Sequence, residues 1–275
     1  MKIGLCLGGG GARGFAHIGV LKALAERDLE PSAIGGCSMG GLIGGLVATG
    51  LEAGEIAERL RGIPPRTVMD FSRAGGLLGH KGVDRQLARL IPETFEELKI
   101  PLAVTTVDVQ SGRLVVLRSG PLLPALRATS AIPGVFSPVQ HEGHILIDGG
   151  LLNNVPVDVV NVLTLDPIIA VDVGAPPDRK LVIKDQRGFL EKVKRPTSPG
   201  HRPLIIDLMV KAFDIPTAMI TELRLAAHRP EVIIRPNLDP NLKLEDFDRL
   251  DDAIHAGYSS AIAALDEGMD RLMHR

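Results

Sequence analysis

The stretch IGGCSMGGL at residues 34–42 places a single serine, Ser38, among four glycines. Residues 36–40 fit the pattern G-x-S-x-G, in which a strained turn joins a strand to a helix and holds the serine oxygen out at the edge of a sheet. The residue after the serine opens the helix, so its N–H can face a developing negative charge. The pattern therefore predicts a nucleophilic serine, with a tight turn around an idle serine as the alternative.

Strand-like and helix-like segments alternate on both sides of this turn. Residues 2–7 are a short apolar run typical of a buried strand, and apolar residues at helical spacing predict a helix over about 13–28. Residues 31–38 predict a second strand, and residues 38–50 predict a helix rich in small side chains. This order predicts a mainly parallel sheet that is covered by helices on both faces, in an α/β fold.

The rest of the chain continues the mixture of strands and helices. Further helices are predicted at about 52–61 and 82–91, at 204–227 apart from its proline, and in an amphipathic C-terminal segment from 247 to 272. Further strands are predicted at 102–109 and 113–119, which form a hairpin, and at 144–148 and 168–173. Because we see no internal repeat and no linker, we expect residues 1–275 to form a single domain.

The glycine run GGGGARG at residues 8–14 lies between the first strand and the first helix. Gly9, Gly11 and Gly14 fit G-x-G-x-x-G, a dinucleotide-binding pattern that needs an acidic residue at the end of the second strand. Glu30 lies instead at the start of that strand. The favoured interpretation is an oxyanion hole, since successive N–H groups of a glycine run can converge on one oxygen. Arg13 is expected to steady this loop or to contact an anionic substrate.

A catalytic serine needs a partner that accepts its proton. His17 falls inside the first predicted helix, where a packed histidine is expected, and the HEGH stretch with His141 and His144 lacks the helical i, i+4 spacing of a zinc motif. Asp148 ends the apolar run ILID and is followed by two glycines. A carboxylate at the end of a buried strand can be partly desolvated, which raises its affinity for a proton. Asp148 is therefore the candidate base, with a carboxylate that caps a loop as the alternative.

Composition argues against several classes of function. A net charge of -2 and an aromatic content of 3% without tryptophan argue against a nucleic-acid partner. Cys6 and Cys37 lie in apolar, glycine-rich stretches, so we expect free buried thiols in a reducing compartment. The N-terminus does not read as a signal peptide, and no apolar run reaches the roughly 18 residues of a spanning helix. We therefore expect a cytoplasmic protein, either free or peripherally associated with a membrane.

Two segments in the C-terminal part have properties relevant to lipids. Residues 178–203 contain eight Lys or Arg against three Asp or Glu, which is typical of a solvated loop and also suits a flap that meets anionic headgroups. Residues 204–227 are rich in Leu, Ile and Met. They are expected to pack in the core or, alternatively, to line a lipid site.

Three motifs in order, GGGARG at 9–14, GCSMG at 36–40 and DGG at 148–150, resemble the patatin-like phospholipase family. The stretches ATSAIPGVFSPV at 128–139 and DGGLLNNVPV at 148–157 agree with that resemblance. The resemblance implies a three-layer α/β/α sandwich and hydrolysis of acyl esters, of the phospholipase A or lysophospholipase type.

The resemblance also implies which residues act and what they act on. Ser38 would be the nucleophile and Asp148 the base of a dyad without histidine. The backbone amides of Gly9, Gly10 and Gly11 would form the oxyanion hole, with Met39 as an additional donor. The substrate would be a lipid or another acyl ester, and neither a cofactor nor a metal ion is expected. The alternatives are a dinucleotide-dependent oxidoreductase and a non-catalytic lipid-binding relative.

Overall fold

The computed structural model describes residues 1–62, 81–174, 204–242 and 246–274. The basic stretch 178–203, with the expectation of a surface loop or lipid-facing flap, lies outside the described residues.

Strands and helices alternate through most of the described chain. The strands are β1 (Lys2–Leu7), β2 (Glu30–Gly36), β3 (Leu102–Asp108), β4 (Arg113–Leu117), β5 (Val139–His141), β6 (His144–Asp148), β7 (Ile168–Val171) and β8 (Val232–Ile234). The helices are α1 (Ala16–Glu26), α2 (Met39–Ala48), α3 (Ala53–Arg61), α4 (Lys81–Leu87), α5 (Leu122–Thr129), α6 (Gly150–Asn153), α7 (Val157–Leu163), α8 (Leu204–His228) and α9 (Leu250–Met273). Short 3₁₀ turns occupy Gly11–Phe15 and Phe95–Glu97.

The strands form one sheet in the order β5-β6-β3-β2-β1-β7-β8, with β4 paired to β3. The run from β3 through β2, β1 and β7 to β8 is parallel, whereas β4, β5 and β6 add antiparallel pairs at the other end. A parallel run requires crossover connections, and the helices supply them.

Helices cover both faces of the sheet and create two apolar cores. Because side chains alternate along a strand, Ile3, Leu5 and Leu7 of β1 face a large core, which also contains buried residues of α1, α2, α5 and α9. Cys6 faces the opposite side and packs with Val160 of α7 and with a residue of α8. The predicted three-layer α/β/α arrangement with a mainly parallel sheet is thus confirmed.

Most elements predicted from periodicity are present, with shifted ends. The hairpin of β3 and β4 is confirmed, and so is the long C-terminal helix. The first helix begins at Ala16 rather than near 13, since the residues after the glycines form a 3₁₀ turn. The helix predicted over 82–91 covers Lys81–Leu87. Pro216 lies inside α8.

Five elements were not predicted from the sequence, among them the short β5 and α6. Pro121 and Pro124 obscured α5, although proline is tolerated in the first turn of a helix. The β-branched run of Val157–Leu163 hid α7, because propensity yields to packing against the sheet. β8 has only three residues. Among the described residues, no helix is both long and apolar enough to cross a lipid bilayer.

Helices α1 and α9 approach each other closely because each presents a glycine at the crossing. A Cβ on Gly19 would lie 2.5 Å from the backbone N of Tyr258, and a Cβ on Gly257 would lie 2.7 Å from the backbone C of Ala16. Both distances are shorter than any contact a Cβ tolerates, so the C-terminal helix packs here backbone against backbone.

We expect Gly257→Ala to lower the free energy of unfolding by about 1–3 kcal/mol, because the added methyl group overpacks the α1–α9 crossing. Gly54→Ala in α3 is the matched control, since a Cβ there meets nothing within 4 Å. This control is expected to raise stability by about 0.5–1 kcal/mol through helix propensity. Urea denaturation followed by circular dichroism measures both changes, and equal effects of the two substitutions would contradict the close packing.

Candidate active site

The ends of β2 and β6 meet on one edge of β3. β4 pairs with β3 along Val104–Asp108, so β2 and β6 must both use its opposite edge. There β2 ends with Gly36 opposite Val104, and the antiparallel β6 ends with Asp148 opposite Thr106. The two partner positions on β3 are two residues apart, or about 7 Å. Asp148 and the turn that carries Ser38 are therefore brought together by the sheet itself.

Ser38 occupies a strained turn between β2 and α2. Its φ of 52° and ψ of -125° are unusual for a residue with a side chain, and it caps the N-terminus of α2. A Cβ on Gly36 would lie 2.6 Å from Cα of Gly41, and one on Gly40 would collide with the carbonyl of Leu7. Glycine is thus required on both sides of Ser38, as the G-x-S-x-G pattern predicted.

The strained turn is held by a hydrogen-bonded chain through Thr129, a residue that the sequence analysis did not select. The N–H of Ser38 donates to Oγ1 of Thr129 over 3.0 Å, and that hydroxyl donates to the carbonyl of Thr105 over 2.7 Å. Thr129 is fully buried at the C-terminal end of α5. It lies in the stretch 128–139 that carried the family resemblance, which is the signal that could have identified it.

Asp148 is buried with one carboxylate oxygen satisfied and the other unpaired. Oδ1 accepts hydrogen bonds from the N–H of Gly150 at 2.8 Å and from the thiol of Cys37 at 3.5 Å. Oδ2 has no hydrogen-bond partner among the residues that the structure describes. Burial raises the pKa of Asp148 to about 6, and the hydroxyl of Ser38, Gly150 and Cys37 oppose this rise. Ser38 thus lies close enough to Asp148 to act on its pKa.

The glycine loop lies directly against Ser38. A Cβ on Gly9 would lie 2.8 Å from Cβ of Ser38 and 2.6 Å from Oδ1 of Asn154, so only glycine fits between these two side chains. The N–H of Gly9 donates to that oxygen of Asn154 over 3.1 Å. The N–H of Gly9, a predicted oxyanion donor, is thus already engaged by Asn154 in the structure.

The other three predicted donors have available N–H groups. Gly10, Gly11 and Met39 donate backbone hydrogen bonds to no other described residue. Gly10 and Gly11 follow the residue that touches Ser38, and Met39 opens α2 directly after it. A helix N-terminus carries a partial positive charge, so these groups lie where an anion would be stabilised.

Two buried side chains donate hydrogen bonds to carbonyl groups of the glycine loop. Nε2 of His17 donates to the carbonyl of Gly8 over 2.7 Å, and burial lowers the pKa of His17 to about 4. This histidine is therefore neutral at pH 7 and is packed, as expected, rather than a base. Nε of Arg13 donates to the carbonyl of Gly10 over 3.2 Å, which agrees with the expected steadying of the loop.

The other residues considered in the sequence analysis make hydrogen bonds that do not involve Ser38, Asp148 or the glycine loop, apart from the thiol of Cys37, which donates to Asp148. His144 Nδ1 lies 3.3 Å from Oδ2 of Asp108 beside the β5–β6 hairpin, and no group of side chains in the described ranges could hold a metal ion. Glu30 lies at the start of β2 and pairs with Lys2 at 2.7 Å. Cys6 and Cys37 are free and buried, as predicted.

Comparison with known proteins identifies the family. The model of the patatin-like phospholipase family matches residues 5–161, which is more than half of the chain. The chain belongs to the patatin-like phospholipase family. The matched range contains the glycine loop, Ser38 and Asp148, and thus every residue that the resemblance had singled out.

Relatives of this patatin-like protein include several longer chains. An uncharacterised NTE family protein of Mycobacterium bovis is 36% identical over 205 residues, which is 72% of this chain and 57% of that protein. Lysophospholipase NTE1 of Mycosarcoma maydis is 36% identical over 187 residues, which is 65% of this chain and 10% of that protein. The chain therefore spans little more than half the length of the first of these relatives.

A solved structure supports the fold of this family member. The structure of the type III effector protein ExoU of Pseudomonas aeruginosa aligns with 100% of this chain. The alignment uses 54% of the ExoU chain and has a TM-score of 0.50 and a sequence identity of 15%. At that identity the likeness concerns the fold alone.

Asp148 is expected to reduce stability at neutral pH. Its pKa of about 6 in the folded protein exceeds the ordinary value of 3.8, so the folded state holds its proton more tightly than the unfolded state does. The protonated form of Asp148 is favoured in the folded state, so its stabilising contribution is fully present below about pH 4 and is lost as the pH rises through about 6. Asp148→Asn should therefore raise the free energy of unfolding at pH 8 by up to about 3 kcal/mol.

Asp108→Asn provides a control of opposite sign. Ser111 and other donors lower the pKa of Asp108 to about 2, so its charged form stabilises the fold at pH 8 and its neutralisation should reduce stability. Urea denaturation of both variants and the wild type at pH 5 and pH 8 measures the effects. A loss of stability in Asp148→Asn at pH 8 would contradict the desolvated carboxylate.

Proposed function

We propose that the protein hydrolyses carboxylic esters of lipids through an acyl-enzyme on Ser38, with Asp148 as the base. The observation that carries this proposal is the buried carboxyl of Asp148 at the sheet edge where the Ser38 turn also lies, with a pKa that burial raises to about 6 and that the hydroxyl of Ser38 partly lowers. Membership of a phospholipase family supports a lipid substrate.

The raised pKa explains how a carboxylate can activate serine without histidine. A carboxylate with an ordinary pKa near 4 is a weak base toward an alcohol. Asp148 binds a proton about a hundredfold more tightly and is still ionised above about pH 6. Its unpaired Oδ2 is available to accept the proton of Ser38 Oγ as that oxygen attacks the ester carbon.

The attack moves the carbonyl electrons onto the ester oxygen, which becomes an oxyanion. The available N–H groups of Gly10, Gly11 and Met39 are the proposed donors to it, and removal of one such donor in other enzymes costs about 3 kcal/mol of barrier. Gly9, whose N–H is engaged by Asn154, instead forms the wall against Ser38.

The reaction is completed in three further proton transfers. When the tetrahedral intermediate collapses, the alcohol leaves with the proton that Asp148 had accepted, and the acyl group stays on Ser38. A water molecule then gives its proton to Asp148 and attacks the acyl carbonyl. Release of the acid returns the proton from Asp148 to Ser38 and restores the dyad.

The substrate class we propose is a lipid with one or two acyl chains. One relative is named as a lysophospholipase, and a phospholipase A reaction uses the same ester chemistry. The dinucleotide alternative is disfavoured by the glycine loop, because Gly9 touches both Ser38 and Asn154.

We expect Ser38→Ala and Asp148→Asn each to reduce turnover of a p-nitrophenyl acyl ester by at least about 10³-fold, because the nucleophile or its base is removed. A fluorophosphonate probe should label the wild type at Ser38, as read by peptide mass spectrometry, and should not label Ser38→Ala. Ser111→Ala, on the β3–β4 turn, is the matched serine control and should keep full activity. Wild-type protein that neither turns over esters nor accepts the probe would refute the proposed hydrolase.

The pH dependence gives a second test of the base. Since Asp148 acts in its ionised form, kcat/KM should rise as the pH passes through about 6 and should level off above about 7. A profile that rises only near pH 8 would exclude Asp148 as the base.

The protein is further proposed to meet its substrate at a lipid surface, through one side of α8. Ile215, Met219 and Leu223 recur every four residues on this helix and are 51%, 56% and 67% exposed, whereas Thr217 and Thr221 face inward. Phe213 of the same helix lies next to Gly150, two residues after Asp148. The chain enters α8 from the basic residues 178–203, whose charge favours an anionic surface.

Ile215→Glu combined with Met219→Glu should weaken sedimentation with anionic lipid vesicles, since two charges would enter the apolar stripe. The ratio of turnover on vesicle lipid to turnover on a soluble aryl ester should fall about tenfold or more. Met273→Glu, an exposed residue of α9 on the opposite face of the sheet, is the control and should leave both readouts unchanged. Unchanged vesicle binding in the double variant would refute this surface.

A further inference from the structure

Asn154 holds the glycine loop through both of its amide atoms. Its Oδ1 accepts the N–H of Gly9 over 3.1 Å, and its Nδ2 donates to the carbonyl of the same residue over 3.2 Å. The side chain of Asn154 is almost completely buried, so no water competes for these bonds. One side chain thereby fixes the two peptide groups that flank Gly9.

The position of Gly9 decides how the loop faces Ser38. Gly9 is held between Oδ1 of Asn154 and Cβ of Ser38, at distances that leave no space for a methyl group. Gly10 and Gly11 follow directly and carry available N–H groups. A movement of Asn154 would therefore shift these donors relative to Ser38, and small displacements of this kind reduce catalysis strongly.

Asn154 also belongs to the segment that carries the base. It lies six residues after Asp148, beyond the short helix α6, and Oδ1 of Asp148 is fixed in the same segment by the N–H of Gly150. Thr105 of β3 holds this segment through the carbonyl of Asn153 at 2.9 Å. The single segment 148–154 thus positions both the carboxylate and the glycine loop around Ser38.

We propose that Asn154 is a positioning residue that clamps Gly9 and so sets the N–H groups of Gly10 and Gly11 toward the oxyanion formed on Ser38. This inference rests on the proposed hydrolase function and adds a residue to it. Asparagine suits the task because its amide is a donor and an acceptor at once, whereas an ionised aspartate only accepts and leucine does neither.

Asn154→Asp tests the clamp with almost no change in volume. The carboxylate keeps the acceptor for the N–H of Gly9 but places an oxygen against the Gly9 carbonyl, where no donor remains. At pH 8 we expect kcat on a soluble aryl ester to fall about 100-fold while KM changes less than about threefold. Since a protonated aspartate can donate to the Gly9 carbonyl again, activity relative to the wild type should recover as the pH falls from 8 to 5.5.

The pH dependence is measured as the ratio of variant to wild-type activity. In this ratio the titration of the neighbouring groups cancels, because both proteins contain them. The described charged or titratable side chains around Gly9 and Asn154 are Asp148, Asp172, His17, Arg13 and Cys37. Each is present in both proteins, so a ratio that rises toward low pH reports the new carboxyl group. A ratio that is flat with pH, or kcat equal to that of the wild type, would overturn the clamp.

Asn153→Ala is the matched control for loss of a buried asparagine side chain. Asn153 is fully buried beside Asn154, but its Nδ2 donates to Asp158 over 2.8 Å and does not touch the glycine loop. We expect it to lower the melting temperature and to keep kcat within about threefold of the wild type. A loss of kcat equal to that of the Asn154 variants would show that any disturbance of the segment suffices and would overturn the specific clamp.

Two further measurements keep the proposal open to refutation. If Asn154→Asp does not fold, Asn154→Ala replaces it, with the same expected split between kcat and KM. In the wild type labelled with ¹⁵N-glycine, the Gly9 amide should exchange with deuterium slowly, and fast exchange would overturn the clamp. Wild-type protein without Ser38-dependent turnover would refute the hydrolase itself, a result distinct from a wild-type-like Asn154 variant.

Discussion

Two strands, β2 and β6, pair with the same edge of β3 and end close to each other there. The candidate active site depends on this arrangement. β2 runs parallel to β3 and stops opposite Val104, while β6 runs antiparallel and stops opposite Thr106. Backbone hydrogen bonds set the register of both strands, so the separation between the Ser38 turn and Asp148 is fixed by the sheet rather than by mobile side chains. Two residues 110 positions apart are thereby brought to the same edge of β3.

Burial of Asp148 raises its pKa and at the same time destabilises its ionised form. Desolvation raises the pKa of Asp148 to about 6, which makes a carboxylate a stronger base than it is in water. The same desolvation disfavours the ionised form at neutral pH, which is the form that the proposed mechanism uses. The strained backbone of Ser38 is a second unfavourable feature, and it persists because Thr129 and the flanking glycines determine the turn.

Helix α8 exposes several of its large apolar side chains, although Leu225 of the same helix is buried in the core. Thr217 and Thr221 face inward and bond to the carbonyls one turn before them, while large apolar residues face outward. The helix packs on α6, which begins two residues after Asp148. The apolar side chains of the described part of α8 are therefore only partly used in the core, and this exposed stripe is the basis of the proposed contact with a lipid surface.

The sequence determined the local features of this protein. Periodicity predicts most strands and helices, the glycines around Ser38 predict its strained turn, and ILID followed by glycines predicts a buried carboxylate, because each signal lies within a few consecutive residues. Only the tertiary structure decided that Asn154 occupies the N–H of Gly9, that Thr129 holds Ser38 and that α7 is a helix. These features depend on contacts between residues that are far apart in the chain, and a pattern within a few consecutive residues cannot predict such contacts.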